Sequence, residues 1–369
     1  MQRDYQTDEP RGTMGLPTVM GKLLERAAAA GDQGLTAWAA MSEGHVGHIG
    51  TVSERSRLGS GDWAWGCGYR NLQMLFSAVL ARPAFRARLG SHPLLSTTPT
   101  VSSSSSSHTI PSILQWQLII QDAWRTGFDP DGAAHFAGKL VGKKQWIGTT
   151  EVYVALSRLG IRCQIVDFPG PSGPNGQHTK LIQWVENYFQ SASSSQADHD
   201  RGAPSTMIRM TTRFPLYFQH EGHSRTIIGV ERTRQGETLL LVLDPAKKVS
   251  APLRKLAHTI HPAGALSSSP SRPPSAGPAA QSAPHIPPAP SSGDAEAQEM
   301  RRNEVALTKE IAGFKPSYCH KLVAPYRVSL KELSKKKQYQ ILYVLDQLPE
   351  SPSPQNQCKL HIIQSLRIV

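Results

Sequence analysis

The spacing of apolar residues predicts helices in the first half of the chain and strands in the second half. After Cys67, apolar residues recur at spacings of three and one, which places them on one face of a helix. The same reasoning predicts further helices at 20–30, 111–126, 149–160 and 178–189. The Thr149 or Thr150 hydroxyl caps the third of these, and Gly160 ends it.

Short apolar segments bounded by turn residues predict the strands. They cover 161–168, 215–219, 224–231, 238–244 and 338–345. Turns at Glu221-Gly222 and Gln235-Gly236 join three of them at close spacing. Five consecutive apolar residues, 239–243, are typical of a strand that is buried on both faces. Helices followed by a mainly antiparallel sheet make up an α+β fold.

Three segments rich in Ser, Pro and Ala interrupt this pattern, at about 95–108, 191–205 and 264–300. They contain too little apolar area to offset the entropy of ordering, so we predict loops or disordered insertions. No apolar run approaches the roughly 20 residues of a membrane helix, and the N-terminus lacks the apolar region of a secretory signal. These patterns predict a protein with no membrane partner.

Charge and cysteine content narrow the functional classes. The net charge of +12 permits contact with nucleic acid or with an acidic partner. The basic residues are dispersed, however, and no nucleic-acid-binding motif accompanies them, which favours a solvated basic surface. The four cysteines form no C-x-x-C pair, so neither a disulfide framework nor a cysteine-rich zinc site is predicted. A reducing compartment, the cytoplasm or the nucleus, is therefore expected.

The stretch WAWGCGYRNLQML places Cys67 at the start of the first core helix. Exposed N–H groups and the helix dipole stabilise a thiolate at that position, and a nearby imidazolium stabilises it further. Gly66 and Gly68 would let a substrate backbone approach, and the Cys67 N–H could donate into an oxyanion hole. The alternative is a structural thiol, because free cysteines are usually buried.

A histidine and an acid are the partners that a nucleophilic thiol requires. His223 opens one predicted strand, and Asp244 ends the next one. A hairpin of these two strands would bring the side chains together, which fixes the imidazole tautomer and stabilises its cation. The H-x-x-H pairs at 45/48, 220/223 and 258/261 could serve zinc instead, but none is part of an H-E-x-x-H motif and no third ligand is evident. We therefore predict no metal site and no cofactor.

Several motifs together resemble a known enzyme family. They are WAWGCGYRNLQM, LYFQHEGHSRTIIGVE, LLVLDP, KKKQYQILYV and the long stretch from Gln121 to Phe168. They are similar to the catalytic domain of the family that contains the zinc-finger-containing ubiquitin peptidases and the ubiquitin-fold modifier 1-specific proteases. The resemblance implies a papain-like cysteine protease fold. Residues 1–46 would be a partly helical N-terminal extension without zinc fingers, and 47–369 the peptidase domain with its insertions.

The resemblance also implies roles for individual residues. Cys67 would be the nucleophile, His223 the general base and Asp244 the acid that orients it. Asp129 and Glu151 would bind arginines of the ubiquitin tail, since guanidinium groups pair well with carboxylates. A turn residue at Asp129 and a first-turn helix acid at Glu151 are compatible alternatives.

Trp65 is predicted to contact the substrate tail, and so is Trp63; packing in the aromatic core is the alternative for both. The side-chain donor of the oxyanion hole would come from the loop before Cys67, near SERSRLGSGD, although no residue there stands out.

The implied reaction is hydrolysis of isopeptide bonds after the Gly-Gly end of ubiquitin, with lysine-63-linked polyubiquitin as the family's preferred substrate. The modifier-specific branch carries Asp-Pro-His, whereas this chain has Ala246 at the third position, so the ubiquitin pattern is favoured. Two alternatives remain open: a protease for ubiquitin-fold modifier 1 or another modifier, and an inactive ubiquitin-binding module that keeps the fold.

Overall fold

The computed structural model describes residues 12–29, 36–43, 46–52, 61–96, 110–191, 208–261, 292–349 and 363–369. Most of the insertions predicted at about 95–108, 191–205 and 264–300 lie outside these residues. The helices are α1 Leu16–Ala28, α2 Cys67–Ala81, α3 Pro83–Gly90, α4 Pro93–Ser96, α5 Ile113–Arg125, α6 Pro130–His135, α7 Thr149–Arg158, α8 Thr179–Gln190, α9 Ala251–Ile260, α10 Ser292–Ala312, α11 Pro316–Val323 and α12 Leu330–Leu333. The strands are β1 Thr36–Ser42, β2 Cys163–Phe168, β3 Ile208–Thr211, β4 Leu216–His220, β5 His223–Thr233, β6 Thr238–Leu243, β7 Arg327–Val328, β8 Tyr339–Val344 and β9 Ser365–Arg367. Within the described part of the chain, no helix has the length and apolar composition needed to cross a membrane.

The strands form one mixed, largely antiparallel sheet in the order β3-β1-β5-β4-β8-β2-β9, with β6 and β7 attached through β5. β5 pairs with β1, β4 and β6, all antiparallel. The β4–β5 turn consists of Glu221 and Gly222, as predicted, and Gly222 takes the positive φ of +83° that tight hairpin turns require. The first residue of β5, His223, therefore has a fixed position at the end of a ladder.

Helices cover both faces of the sheet, which accounts for the run of apolar residues in β6. Leu241 and Leu243 pack in the larger core with α1, α2, α5 and α7, whereas Leu240 and Val242 pack in the second core with α8. Side chains of a strand alternate between its two faces, so both sets have to be apolar here. The α+β fold class predicted from the sequence is confirmed.

Helix α2 lies inside the larger core, and nearly all of its side chains are buried. Its polar residues are each held by a hydrogen bond: Ser77 accepts from the Gly47 N–H, and the Gln73 amide donates to the Pro111 carbonyl. Buried polar groups without such partners would destabilise the fold. The helix that begins at Cys67 is therefore fixed along its length.

The structure adds elements that the sequence analysis did not predict. β1 lies in the predicted N-terminal extension, yet it pairs with β5 and β3 in the central sheet. Helix α10 begins at Ser292, inside the segment predicted as an insertion, and α9 precedes that segment. The prediction of a loop through residues 292–300 was wrong, because this part continues into a helix whose later residues Leu307 and Ile311 are buried in the core.

A buried ion pair holds the chain that follows the long insertion. Arg327, at the start of β7, donates from Nε and Nη2 to Glu231 of β5 at 2.6 and 2.9 Å, and the Thr36 hydroxyl also donates to Glu231. Removing only the guanidinium would leave an uncompensated buried carboxylate. We therefore expect Arg327→Met to lower the free energy of unfolding by about 3–5 kcal/mol, measured by chemical denaturation.

A partly exposed ion pair between β5 and α8 provides the control. Arg232 and Glu186 lie 3.8 Å apart, and 40% of the Arg232 side chain is exposed. Arg232→Met should cost less than about 1 kcal/mol, since water screens exposed pairs. Equal losses in the two variants would contradict the assignment of a structural role to the buried pair.

Candidate active site

Asp62 shapes the turn that leads into α2. Its carboxylate accepts hydrogen bonds from the Val52 N–H at 2.6 Å and from Arg70 Nε at 2.7 Å. Its backbone carbonyl accepts from the Gly66 N–H at 2.6 Å. The Asp62–Arg70 pair is almost completely buried. The backbone just before Cys67 is therefore held by the first turn of its own helix.

The space beside Gly66 and Gly68, the two neighbours of Cys67, is occupied by other atoms of the protein. A Cβ atom at Gly68 would lie 2.5 Å from the Ile147 carbonyl oxygen, and one at Gly66 would overlap the Asp62 carboxylate. Glycine is required here because neighbouring backbone and side chains approach closely. The expectation that these glycines leave room for a substrate backbone is thus corrected: they let Asp62 and Ile147 pack against the start of α2.

The structure brings His223 and Asp244 together. His223 Nε2 lies 3.0 Å from Asp244 Oδ1, and the same carboxylate oxygen accepts the Ala246 N–H at 3.0 Å. Because Nε2 is engaged by Asp244, Nδ1 is the ring nitrogen left to face the Cys67 thiol, with which His223 also interacts. His48 bonds through Nε2 to the Asp244 carbonyl at 2.9 Å and thereby holds the backbone of the acid.

The three side chains shift one another's pKa values. Burial alone would raise the pKa of Cys67, but hydrogen bonds from His223 and Ser224 outweigh it and hold that pKa below its usual value. Burial alone would lower the pKa of His223, but the hydrogen bonds to Asp244 and Cys67 raise it to about 9. Burial would also raise the pKa of Asp244, but the bond from His223 lowers it. The arrangement therefore favours a thiolate beside an imidazolium.

A cavity of about 330 Å³ opens beside the thiol. Among the predicted site residues, Cys67, His223 and Glu151 line it. Asp129 and Trp65 do not. The other walls come mainly from segment 146–150 and from the ends of β4, β5 and β8.

Asp129 and Glu151 form a buried acidic pair, of which Glu151 lines this cavity. Asp129 and Glu151 are each only 8% exposed. The Asp129 carboxylate caps α6 by accepting the Gly132 N–H through Oδ1, and its Oδ2 has no hydrogen-bond partner among the described residues. Burial raises the pKa of Glu151, whose carboxylate accepts the Gly148 N–H at 2.7 Å, and the charge of Asp129 raises it further. Asp129 is therefore a turn residue before α6, and Glu151 is an acid in the first turn of α7. These are the structural roles that the sequence analysis gave as alternatives to substrate binding.

The aromatic residues near the site divide into two groups. Trp65 packs edge-on against Tyr69 at a centroid distance of 5.7 Å and lies against the core, so its contact with substrate stays a prediction. Trp63 is 66% exposed. Trp146, which the sequence analysis did not select, lines the cavity and is 49% exposed.

Gln219 and Ser224 are further residues of the cavity wall that the sequence analysis missed. They face each other across the β4–β5 ladder. Strand alternation was the available signal, because Gln219 shares a face of β4 with the core residue Tyr217. A side-chain amide is a suitable donor for an oxyanion, and Gln219 on β4 lines the cavity beside Cys67. The loop before Cys67 in which such a donor was expected lies mostly outside the described residues.

Among the described residues, the other histidines belong to no cluster that could hold a metal ion. Burial lowers the pKa of His220 to about 4, and its Nδ1 lies 2.8 Å from the Glu221 carbonyl oxygen. Across the described residues, no group of three His, Cys, Asp or Glu side chains is arranged to hold a metal ion. His45, a member of one H-x-x-H pair, lies outside the described residues.

Parts of known proteins are similar to this chain. The human zinc finger-containing ubiquitin peptidase 1 is 39% identical over 197 residues, which are 53% of this chain and 30% of that protein. The ubiquitin carboxyl-terminal hydrolase mug105 of Schizosaccharomyces pombe is 29% identical over 206 residues, which are 56% of this chain and 67% of that protein. The crystal structure of UfSP from C. elegans matches with a TM-score of 0.34 and 18% identity, over 59% of this chain and 29% of that one.

The chain spans only 30% of the length of the human relative. The model of peptidase family C78 matches residues 56–268, more than half of the chain, including Cys67, His223 and Asp244. This match agrees with the resemblance read from the motifs and with the prediction of a cysteine peptidase. The chain belongs to peptidase family C78.

Proposed function

We propose that this protein hydrolyses the isopeptide bond that follows the C-terminal Gly-Gly of ubiquitin, with Cys67 as nucleophile. The observation that carries the proposal is the cavity beside Cys67, where the thiol meets the His223–Asp244 pair and Glu151 of the acidic pair lines the wall. The names of the human and yeast relatives, a ubiquitin peptidase and a ubiquitin carboxyl-terminal hydrolase, support ubiquitin as the modifier.

The reaction proceeds in two steps in this proposal. The Cys67 thiolate attacks the carbonyl carbon of the terminal glycine, and His223 donates its proton to the departing lysine amine, which leaves a thioester. Water, deprotonated by His223, then attacks the thioester and releases the ubiquitin carboxylate and the thiol. The Cys67 N–H and the Gln219 amide are the candidate donors to the oxyanion of both steps.

Position 246 favours ubiquitin over ubiquitin-fold modifier 1. The modifier-specific branch of the family carries a histidine two residues after the acid, where this chain has the exposed Ala246. The imidazole beside Asp244 comes from His223 on the neighbouring strand instead. A protease for ubiquitin-fold modifier 1 is the second candidate, and an inactive ubiquitin-binding module is the third.

The acidic pair suits the arginines of the ubiquitin tail, Arg-Leu-Arg-Gly-Gly. A guanidinium between Asp129 and Glu151 would supply a partner for the unbonded Asp129 oxygen and neutralise two carboxylates that repel each other. We extend the proposal to lysine-63-linked polyubiquitin, the linkage that the family resemblance implies. Cleavage of di-ubiquitins of every linkage type tests that extension, and equal cleavage of all types would reject it.

Labelling by modifiers that carry a C-terminal electrophile tests the proposal directly. The wild-type protein should form a covalent adduct with the ubiquitin probe, and Cys67→Ala should form none, because the thiolate is the attacking group. Cys163→Ala is the matched control, since burial raises the pKa of that thiol to about 12. The readout is the mass shift of the intact protein.

The same panel separates the alternatives. Labelling by ubiquitin-fold modifier 1 alone would favour the second candidate. Tight ubiquitin binding without any adduct would favour the inactive module.

Removal of one tail-binding charge should weaken the substrate complex and leave the fold intact. Asp129→Asn and Glu151→Gln keep the oxygens that accept the Gly132 and Gly148 N–H groups. A hydrogen bond to a charged group is worth about 1.5–3 kcal/mol, so kcat/KM for ubiquitin cleavage should fall about ten- to a hundredfold, mainly through KM. The exposed Asp131→Asn should change neither constant. Unchanged kinetics in both buried variants would reject the assignment.

The pH profile of kcat/KM should be bell-shaped. Protonation of the Cys67 thiolate removes activity on the acid side, and loss of the His223 proton removes it on the alkaline side, near pH 9. In Asp244→Asn the carboxylate that raises the His223 pKa is absent. The alkaline limb should therefore move down toward 6.5, the ordinary histidine value.

An exposed acid in the adjacent hairpin turn controls for a general charge effect. Glu221→Gln should leave both limbs in place. An alkaline limb that stays near pH 9 in Asp244→Asn would contradict the role given to this carboxylate.

A further inference from the structure

The Asn71 amide joins the helix of the nucleophile to the strand of the base. Asn71 lies one turn after Cys67 in α2 and is fully buried. Its Nδ2 donates to the Cys67 carbonyl at 2.8 Å and to the Ser224 hydroxyl at 3.1 Å. Its Oδ1 accepts from the Thr226 hydroxyl at 2.7 Å. Both amide hydrogens and the amide oxygen are thus used, on two elements that are far apart in the sequence.

Ser224 places this network directly beside the thiol. It follows His223 in β5, is 2% exposed and lines the cavity together with Cys67. Because its oxygen accepts from Asn71, its own hydroxyl hydrogen is free to donate. Hydrogen bonding from His223, and from the hydroxyl and backbone N–H of Ser224, lowers the pKa of Cys67.

We propose that Asn71 is a positioning residue: it holds Cys67 against β5 and thereby sets the distance between the Cys67 sulfur and the His223 ring. The inference rests on the proposed role of Cys67 as nucleophile and adds a residue to that site. Asn71 does not touch the substrate; it acts by keeping the start of α2 and the start of β5 in register.

The chemistry of the contact explains why an amide is needed. The Cys67 carbonyl and the Ser224 oxygen both require donors, whereas the Thr226 hydroxyl requires an acceptor. An asparagine of this length satisfies all three, and an apolar side chain of similar volume satisfies none. Without the amide, the Ser224 hydroxyl loses the donor that Asn71 supplies, and the donor to the thiolate is less preorganised.

Gln73 provides the matched control. It is also a fully buried amide on α2, two residues along, but it donates to the Pro111 carbonyl and accepts from Arg70, away from β5. Replacing it by leucine removes a buried amide but leaves in place the contact of α2 with β5 and the bond from Arg70 Nε to Asp62 that holds the turn before Cys67. A merely structural contribution of Asn71 would therefore be reproduced by Gln73→Leu.

The test is the pH dependence of Cys67 alkylation by iodoacetamide, followed for the Cys67 peptide by mass spectrometry. This small reagent reports the thiolate independently of any modifier. In the wild type, we expect alkylation to persist below the ordinary thiol range. In Asn71→Leu, the apparent pKa of Cys67 should rise, which lowers the rate at acid pH about tenfold for each unit. Thr226→Val, a nearly isosteric change, should also raise the apparent pKa of Cys67, but by a smaller amount.

Gln73→Leu should leave the alkylation profile unchanged, and thermal unfolding of each variant verifies that it is folded. If Asn71→Leu does not fold, Thr226→Val decides. A low Cys67 pKa in the wild type that persists in the folded Asn71 and Thr226 variants would overturn this inference alone, as would an equal rise in Gln73→Leu. An ordinary thiol pKa in the wild type would overturn the proposed function together with it.

Discussion

The contact between the first turn of α2 and the first residues of β5 is the constraint on which the site depends. Cys67 begins the helix and His223 begins the strand, and each of these elements is fixed by the core behind it. The helix is almost entirely buried, and β5 is paired to strands on both of its edges. Movement of either element would expose apolar area and break a ladder, so the geometry of the thiol and imidazole is preorganised.

The same burial works against the charges that the chemistry needs. Transfer of the thiol and the imidazole out of water raises the pKa of Cys67 and lowers that of His223, which would leave both groups neutral. The hydrogen bonds that the thiol receives from His223 and Ser224, and the bond that His223 donates to Asp244, reverse both effects. Under the proposed function, the reactive ion pair therefore depends on fixed dipoles and a fixed carboxylate and not on exposure. The site needs its supporting hydrogen bonds for reactivity as much as for shape.

The sequence predicted those parts of the site that local pattern encodes. The start of α2 at Cys67 followed from apolar spacing, and the strands that bear His223 and Asp244 followed from short apolar runs and a Glu-Gly turn. The β1 strand was missed because its Ala-rich segment lacks alternation and pairs with β5 some 190 residues later, a distance that local patterns do not register. The roles of Gly66 and Gly68 were misjudged because the atoms that contact them, the Asp62 carboxylate of the preceding turn and the Ile147 carbonyl of a distant segment, are brought there by the folded backbone and not by a local pattern.

The buried acidic pair shows how recognition and stability are linked in this fold. Asp129 and Glu151 lie close enough for the charge of one to raise the pKa of the other, and one Asp129 oxygen lacks a partner among the described residues. Such an arrangement destabilises the empty protein, and a guanidinium would relieve both the repulsion and the missing hydrogen bond. A modifier tail without an arginine at this point would gain no binding energy from the two carboxylates, and they would stay buried and unpaired in the complex. Under the proposed function, discrimination between modifiers thus arises from a penalty that one class of tail removes and another leaves in place.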